Sequence, residues 1–430
     1  MFNYFLPRFS IAQGKEIVFK ITKVLFLAGF CFSVFLYALS GTIADLLRNP
    51  ELSRGLKLFS PVPLLMLPTL GIEGIFSTYK KSVYIAVYNT LTRVLMLVFI
   101  VGPVIVFSGS YVTAIYGWIG VSCITLVIAY IFKGIPFRGV RQERSGLEFK
   151  EILAYSIPLL AATIAGTVYR AANQFYISRY FGAEVFAEFS NGFIEIPFVQ
   201  MITGATATVL MPVFSKAVYE KSDISQITDL WRSALRKSAI IIYPMVIYSL
   251  FYARELVTIV YSGAYAASST YFSVAMILNF FNIVVFAPLL LALGKVKFYA
   301  RLHYGLALTT WVIEYLVIMI FNTPISVAIS FVIIATGGIL ISLGYSAKTL
   351  GISFLSLFPV VKLLMIALHS FIALFLVNLI VSKLWPDLSS LLLILTAGIG
   401  YLAVLFLSGR LFRIDYYGIL RPLLRGNEKT

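Results

Sequence analysis

Twelve long apolar runs, separated by short polar segments, leave this chain one class of fold. They read as 22–45, 58–77, 83–107, 111–132, 152–178, 185–214, 238–257, 270–293, 299–321, 324–347, 358–382 and 389–409. A bilayer core about 30 Å thick takes about 20 apolar residues of helix. In lipid a helix satisfies its own backbone groups, and the alternating segments of about ten residues typical of a membrane β-barrel are missing. Only 12% of residues are charged and 60% are hydrophobic, against about 25% charged in a soluble domain. The expectation is an all-α polytopic membrane protein with about 12 transmembrane helices. The run at 185–214 carries Pro197 and is expected to be one kinked or tilted helix.

Lys and Arg collect in cytoplasmic loops, and here they choose a side. The N-terminal segment, Lys80 and Lys81, the 133–150 and 216–237 loops, Lys295 to Arg301, Lys348, Lys362 and the C-terminal tail hold 26 of the 34. The opposite side holds six, and Arg93 and Arg170 fall within spans. Both termini are therefore expected in the cytoplasm. The net charge of +16 is a topology signal, aided by anionic lipid, and calls for no nucleic acid. Cys31 and Cys123 lie inside apolar runs and offer neither a disulfide framework nor a metal site. Met1 to Leu6 is too short for the apolar core of a signal peptide.

A charge at mid-bilayer costs about 2.5–3.5 kcal/mol, so charges within spans mark cavities or partners. Arg93 has Asn89 one turn before it. Thr163, Thr167, Arg170 and Gln174 form a polar stripe with Asn173 beside it. Glu188, Asn191 and Glu195 form an acidic stripe on the next run, and His303, Thr310 and Glu314 share a face of the ninth. Glu73 and Glu255 sit near span ends, and Arg179 and Arg301 are placed to snorkel. His369, among apolar residues, reads as a hydrogen-bonded core residue.

The chain also repeats itself. Leu6-Pro7-Arg8-Phe9-Ser10 resembles Met211-Pro212-Val213-Phe214-Ser215, and Leu58-Phe59-Ser60 resembles Tyr271-Phe272-Ser273. Lys81-Ser82-Val83-Tyr84 similarly matches Lys295-Val296-Lys297-Phe298. The matches keep their order and nearly their spacing, as in transporters built from repeats. Tyr155-Ser156-Ile157-Pro158 and the stretch from Ala172 to Ala183 then carry a family resemblance. The chain resembles the oligosaccharide flippases, the polysaccharide-export branch of the multidrug/oligosaccharidyl-lipid/polysaccharide exporter superfamily. Asn173-Gln174 stands where that branch has an Asp-Arg pair.

The resemblance implies an N-terminal lobe over 1–148 lacking its usual first two helices, a six-span lobe over 149–350, and two further spans with a tail over 351–430. It also implies flipping of a lipid-linked (undecaprenyl-pyrophosphate) oligosaccharide across the bacterial inner membrane for surface polysaccharide such as O-antigen or capsule. Arg93 and Arg170 would meet the pyrophosphate, since guanidinium binds phosphate bidentately. Asn89, Asn173, Gln174 and Thr167 would line the cavity, and Glu195, Glu188 and Glu314 are candidates for coupling H+ or Na+. The other reading of the arginines is structural pairing with glutamates such as Glu195. Partners would be membrane lipids and a polysaccharide polymerase or assembly machinery. No cofactor is implied, no enzymatic motif is visible, and the outer loops are too short for a membrane glycosyl ligase. The alternatives are a cation-coupled multidrug exporter, or a non-transporting truncated homologue associated with glycan assembly.

Overall fold

The computed structural model describes residues 2–219, 223–284, 286–412 and 414–419, and every regular element among them is a helix. The first four long helices are α1 (Ile11–Leu46), α2 (Pro50–Thr78), α3 (Val83–Val106) and α4 (Tyr111–Phe137). They are followed by α5 (Phe149–Gly192), α6 (Pro197–Tyr219) and α7 (Ile224–Phe251). Three short helices come next, α8 (Ala253–Tyr261), α9 (Ser268–Leu278) and α10 (Ala287–Ala292). The chain closes with α11 (Val296–Phe321), α12 (Pro324–Leu350), α13 (Val360–Leu384) and α14 (Ser390–Ser408). Among the described residues nine of these, α1 to α4, α7 and α11 to α14, are long and apolar enough to cross a membrane. In the most apolar window of α3 only 6% of residues are buried. Side chains such as Val83, Val98 and Ile105 therefore face outward, as a lipid-exposed helix requires.

The helix ends follow local chemistry. Ser10 opens α1 through a reciprocal capping box with Gln13, so the serine of the first repeat stretch is a helix cap. The second stretch lies within α6, where Phe214 is fully buried and the side chains of Met211, Pro212 and Ser215 lie outside those described. The 185–214 run is not one kinked helix. Gly182 takes φ +86 between two helical stretches, a conformation open mainly to glycine. The chain then leaves the helix after Gly192 and restarts at Pro197, whose missing N–H suits a first turn. The 270–293 run is likewise split into α9 and α10, with Pro288 in the first turn of α10.

The chain divides into two compact units, Met1–Ile164 and Ala165–Thr430. In the first, Ile17, Ile21, Ile75, Phe137 and Ile152 form one buried cluster, and Ile72, Phe76, Tyr88 and Ala129 form another. In the second, α13 and α14 are fastened to α7 and to Tyr252, the residue that follows it. Tyr252 donates its hydroxyl to Asn378 Oδ1 at 3.0 Å, and Tyr401 donates to the Pro244 carbonyl at 3.4 Å. His369 is fixed nearby, with Nδ1 3.0 Å from the Tyr416 hydroxyl and Nε2 2.9 Å from Ser408 Oγ.

One packing contact bears directly on α3. Leu97–Val101 forms a π-helical turn just before Pro103, which cannot supply an N–H to a regular α ladder. Gly117 of α4 fits against this turn so closely that a Cβ there would collide with the Phe99 carbonyl oxygen. Gly117→Leu is therefore expected to push α3 from α4 and cost about 1–3 kcal/mol, the usual range for overpacking. Thermal unfolding of the detergent-solubilised protein checks this, and an unchanged midpoint would mean the contact is not tight.

Candidate functional site

In the first unit, α2, α3 and α4 enclose an open cavity of about 610 Å³. Arg93, Asn89 and Thr92 come from α3, Glu73 and Thr69 from α2, and Thr125 from α4. Residues 89, 92, 93 and 96 line it because i, i+3, i+4 and i+7 share one helix face. Asn89 donates Nδ2–H to Glu73 Oε1 at 3.0 Å. Thr92 and Thr69 turn their hydroxyls onto the Tyr88 and Met66 carbonyls at 2.9 and 2.7 Å. Thr125 Oγ1 is buried with no partner among the described residues. The cavity thus offers a guanidinium, a carboxylate-bound amide and an unsatisfied hydroxyl on a mixed wall.

Glu73 is the member that sequence reasoning missed. It reads as a span-end residue if α2 is one straight rod. The chain instead tightens into a 3-10 turn at Leu67–Thr69, turns at Gly71 with φ +95, and restarts at Ile72. Counting depth along the sequence fails across such a break. The signal available was Pro68 followed by Gly71, a pair that punctuates helices.

In the second unit the stripe on α5 holds in part. Thr167, Arg170 and Gln174 are exposed, whereas Asn173 is 3% exposed and its Oδ1 accepts the Gln174 N–H at 2.8 Å. The Thr163 side chain lies outside those described. Neither Arg93 nor Arg170 forms an ion pair with a carboxylate among the described residues. Glu195 is hydrogen-bonded instead to the Gln200 side-chain amide.

The acidic stripe does not form as drawn. Glu188 lies at the end of α5 and Glu195 lies in the non-helical segment before α6, so helical periodicity no longer relates them. On α11, Thr310 and Glu314 do share a buried position, each fully shielded. Thr310 donates to the Leu306 carbonyl at 2.8 Å, while both Glu314 carboxylate oxygens lack a hydrogen-bond partner among the described residues. Around this segment, Trp311 packs on Tyr176 at 5.3 Å between ring centres, and Tyr169 stacks on Phe331 at 5.1 Å. His303 sits farther back on the helix, Nδ1 2.9 Å from the Tyr299 carbonyl. No group of His, Cys, Asp and Glu among the described residues could hold a metal ion.

Comparison with known proteins places this arrangement. Over 96% of its length the chain superposes on 85% of a solved structure titled "Lipid II flippase MurJ, inward closed conformation", with a TM-score of 0.65 and 16% identity. At that identity the likeness is one of fold, and the fold is that of a multi-pass helical membrane protein. No curated protein sequence matches. A family model described as "Polysaccharide biosynthesis protein" matches residues 11–270. The resemblance drawn from Tyr155–Pro158 and Ala172–Ala183 to proteins of polysaccharide export therefore holds, and the chain belongs to the polysaccharide biosynthesis protein family.

Proposed function

We propose that this protein flips a lipid-linked oligosaccharide, carried on undecaprenyl pyrophosphate, across the bacterial inner membrane for surface polysaccharide assembly. The observation that carries the reading is Arg93, a cation within a span that lines an open cavity beside the Asn89–Glu73 pair. A guanidinium stays charged at any accessible pH and binds phosphate oxygens in pairs. Asn89, Glu73 and Thr125 suit sugar hydroxyls. The polar head would occupy this cavity while the lipid tail stays among the outward-facing apolar side chains, and alternating access would carry the head across. The role is transport and not bond-making, with both termini in the cytoplasm.

Arg170, with Thr167 and Gln174, supplies a second polar face. Asn173 supports that helix from the interior. Glu314 is the strongest of the proposed coupling groups. A buried carboxylate without partners is stable only with a proton or a cation on it, which suits H+ or Na+ coupling. Glu188 and Glu195 are weaker candidates because they are not shielded to the same degree.

Glu73 favours a second reading, a cation-coupled multidrug exporter, since a carboxylate in the cavity would attract cationic drugs. Proteoliposomes decide between them. The protein is expected to translocate a lipid-linked oligosaccharide, and Arg170→Ala to slow it several-fold. Unchanged transport would remove Arg170 from the path. Efflux of a cationic dye without glycolipid translocation would favour the exporter.

A further inference from the structure

The sequence counts Lys133 among the loop cations, yet the structure buries it in the last turns of α4 with only 5% of its surface exposed. Its ammonium donates to Thr22 Oγ1 at 3.1 Å and to the Pro68 carbonyl at 2.6 Å, and it lies 5.3 Å from the centre of the Phe2 ring. All three neighbours are neutral. Among the described residues no carboxylate pairs with it. An ammonium has three donors, so one remains. A buried charge without a counter-charge is costly.

Lys133 lines a crevice of about 220 Å³ between α1 and α4, together with Lys15, Thr22, Phe19, Tyr130 and Gln142. At about 30 Å³ per water, the space holds several waters, or a phosphate group in their place. Lys15 is also bonded to a neutral group, the Val140 carbonyl at 2.9 Å. Lys23 lies 4.5 Å over the ring of Phe19, which lines the crevice. The nearby carboxylate that could have neutralised this end, Glu16, is already engaged by Lys20 at 3.0 Å and by the Ser145 N–H. Among the described residues, cations line the crevice and no anion does. Phe19 and Tyr130 are 44% and 58% exposed at its mouth, as aromatic residues are at the headgroup level of a bilayer.

We propose that the α1–α4 crevice is an anion site that takes a phosphate group, with Lys133 as its buried cation and Lys15 as its outer one. The exposed aromatic mouth fits a phosphate that arrives on an anionic lipid, and basic pockets between membrane helices take such headgroups. The site is separate from the Arg93 cavity and does not depend on what that cavity transports.

The test uses the full chain in neutral detergent, with thermal unfolding followed as each probe is titrated. The probes are short-chain phosphatidylglycerol, short-chain phosphatidylcholine and inorganic phosphate. Phosphatidylglycerol is expected to raise the unfolding midpoint where phosphatidylcholine does not. In Lys133→Met the concentration needed should rise about tenfold or more, the effect of losing one charge-assisted hydrogen bond. Lys15→Gln should raise it by a smaller factor, and the surface control Lys383→Gln should leave it unchanged. Protection by inorganic phosphate as well, lost in Lys133→Met, would support the same site with a soluble phosphate as its occupant. Equal protection of wild type and Lys133→Met, or no protection of the wild type by either anion, would overturn the proposal. Lys133→Met is a buried cation made apolar at similar volume and is expected to fold. Should it not fold, Lys15→Gln alone decides by the same shift.

Discussion

Replacing Arg93 with alanine is expected to lower translocation of a lipid-linked oligosaccharide by one to two orders of magnitude in proteoliposomes. A hydrogen bond to a charged group is worth about 1.5–3 kcal/mol, and each 1.4 kcal/mol is about a factor of ten. A pyrophosphate offers the guanidinium at least one bidentate contact, which sets the range. Arg93→Lys keeps the charge but loses the fork, so it should recover part of the rate and leave the salt dependence in place. Folding should not confound the comparison, because Arg93 is exposed and forms no ion pair among the described residues. Wild-type rates in Arg93→Ala, with the protein correctly inserted, would mean that the phosphate is held elsewhere.

The second large effect is expected at Glu314. Glu314→Gln keeps the shape and removes the charge, mimicking the protonated acid. Because the carboxylate has no partner to lose among the described residues, the unfolding midpoint should stay level or rise. Transport driven by an ion gradient should be abolished, while exchange between preloaded and external substrate persists. Glu314→Ala should instead destabilise the protein, because it leaves a cavity on a face flanked by Trp311, Tyr176 and Tyr169. Gradient-driven transport at the wild-type rate in Glu314→Gln would assign coupling to another group.

The polar residues were legible in the sequence to the extent that their helices are regular. Thr167, Arg170 and Gln174 sit on a continuous stretch of α5 and share an exposed face, as the 3.6-residue period requires. Thr310 and Glu314 on α11 likewise share a buried position. Glu188 and Glu195 lost their relation because the helix ends at Gly192 and restarts at Pro197. Glu73 entered the cavity for a similar reason, the breaks at Pro68 and Gly71. Lys133 was misjudged in the other direction. A cation beside a glycine and a proline reads as a loop residue, but α1 and the turn at Pro68 close over it.

The sequence by itself determined the class of this protein. Uninterrupted apolar runs can be solvated only by lipid, and in lipid only a helix satisfies its own backbone. It also picked out Arg93 and Arg170, because a cation within an apolar run is unusual wherever the chain folds. The tertiary structure decided the company such groups keep. Glu73 lies 16 positions from Asn89, and Lys133 lies 111 from Thr22. Local periodicity reaches about two turns along one helix, so contacts at those separations depend on where helices break and which faces meet. Arg93 stood out by its own chemistry, whereas the cavity around it and the crevice around Lys133 exist only once α1, α2, α3 and α4 have packed.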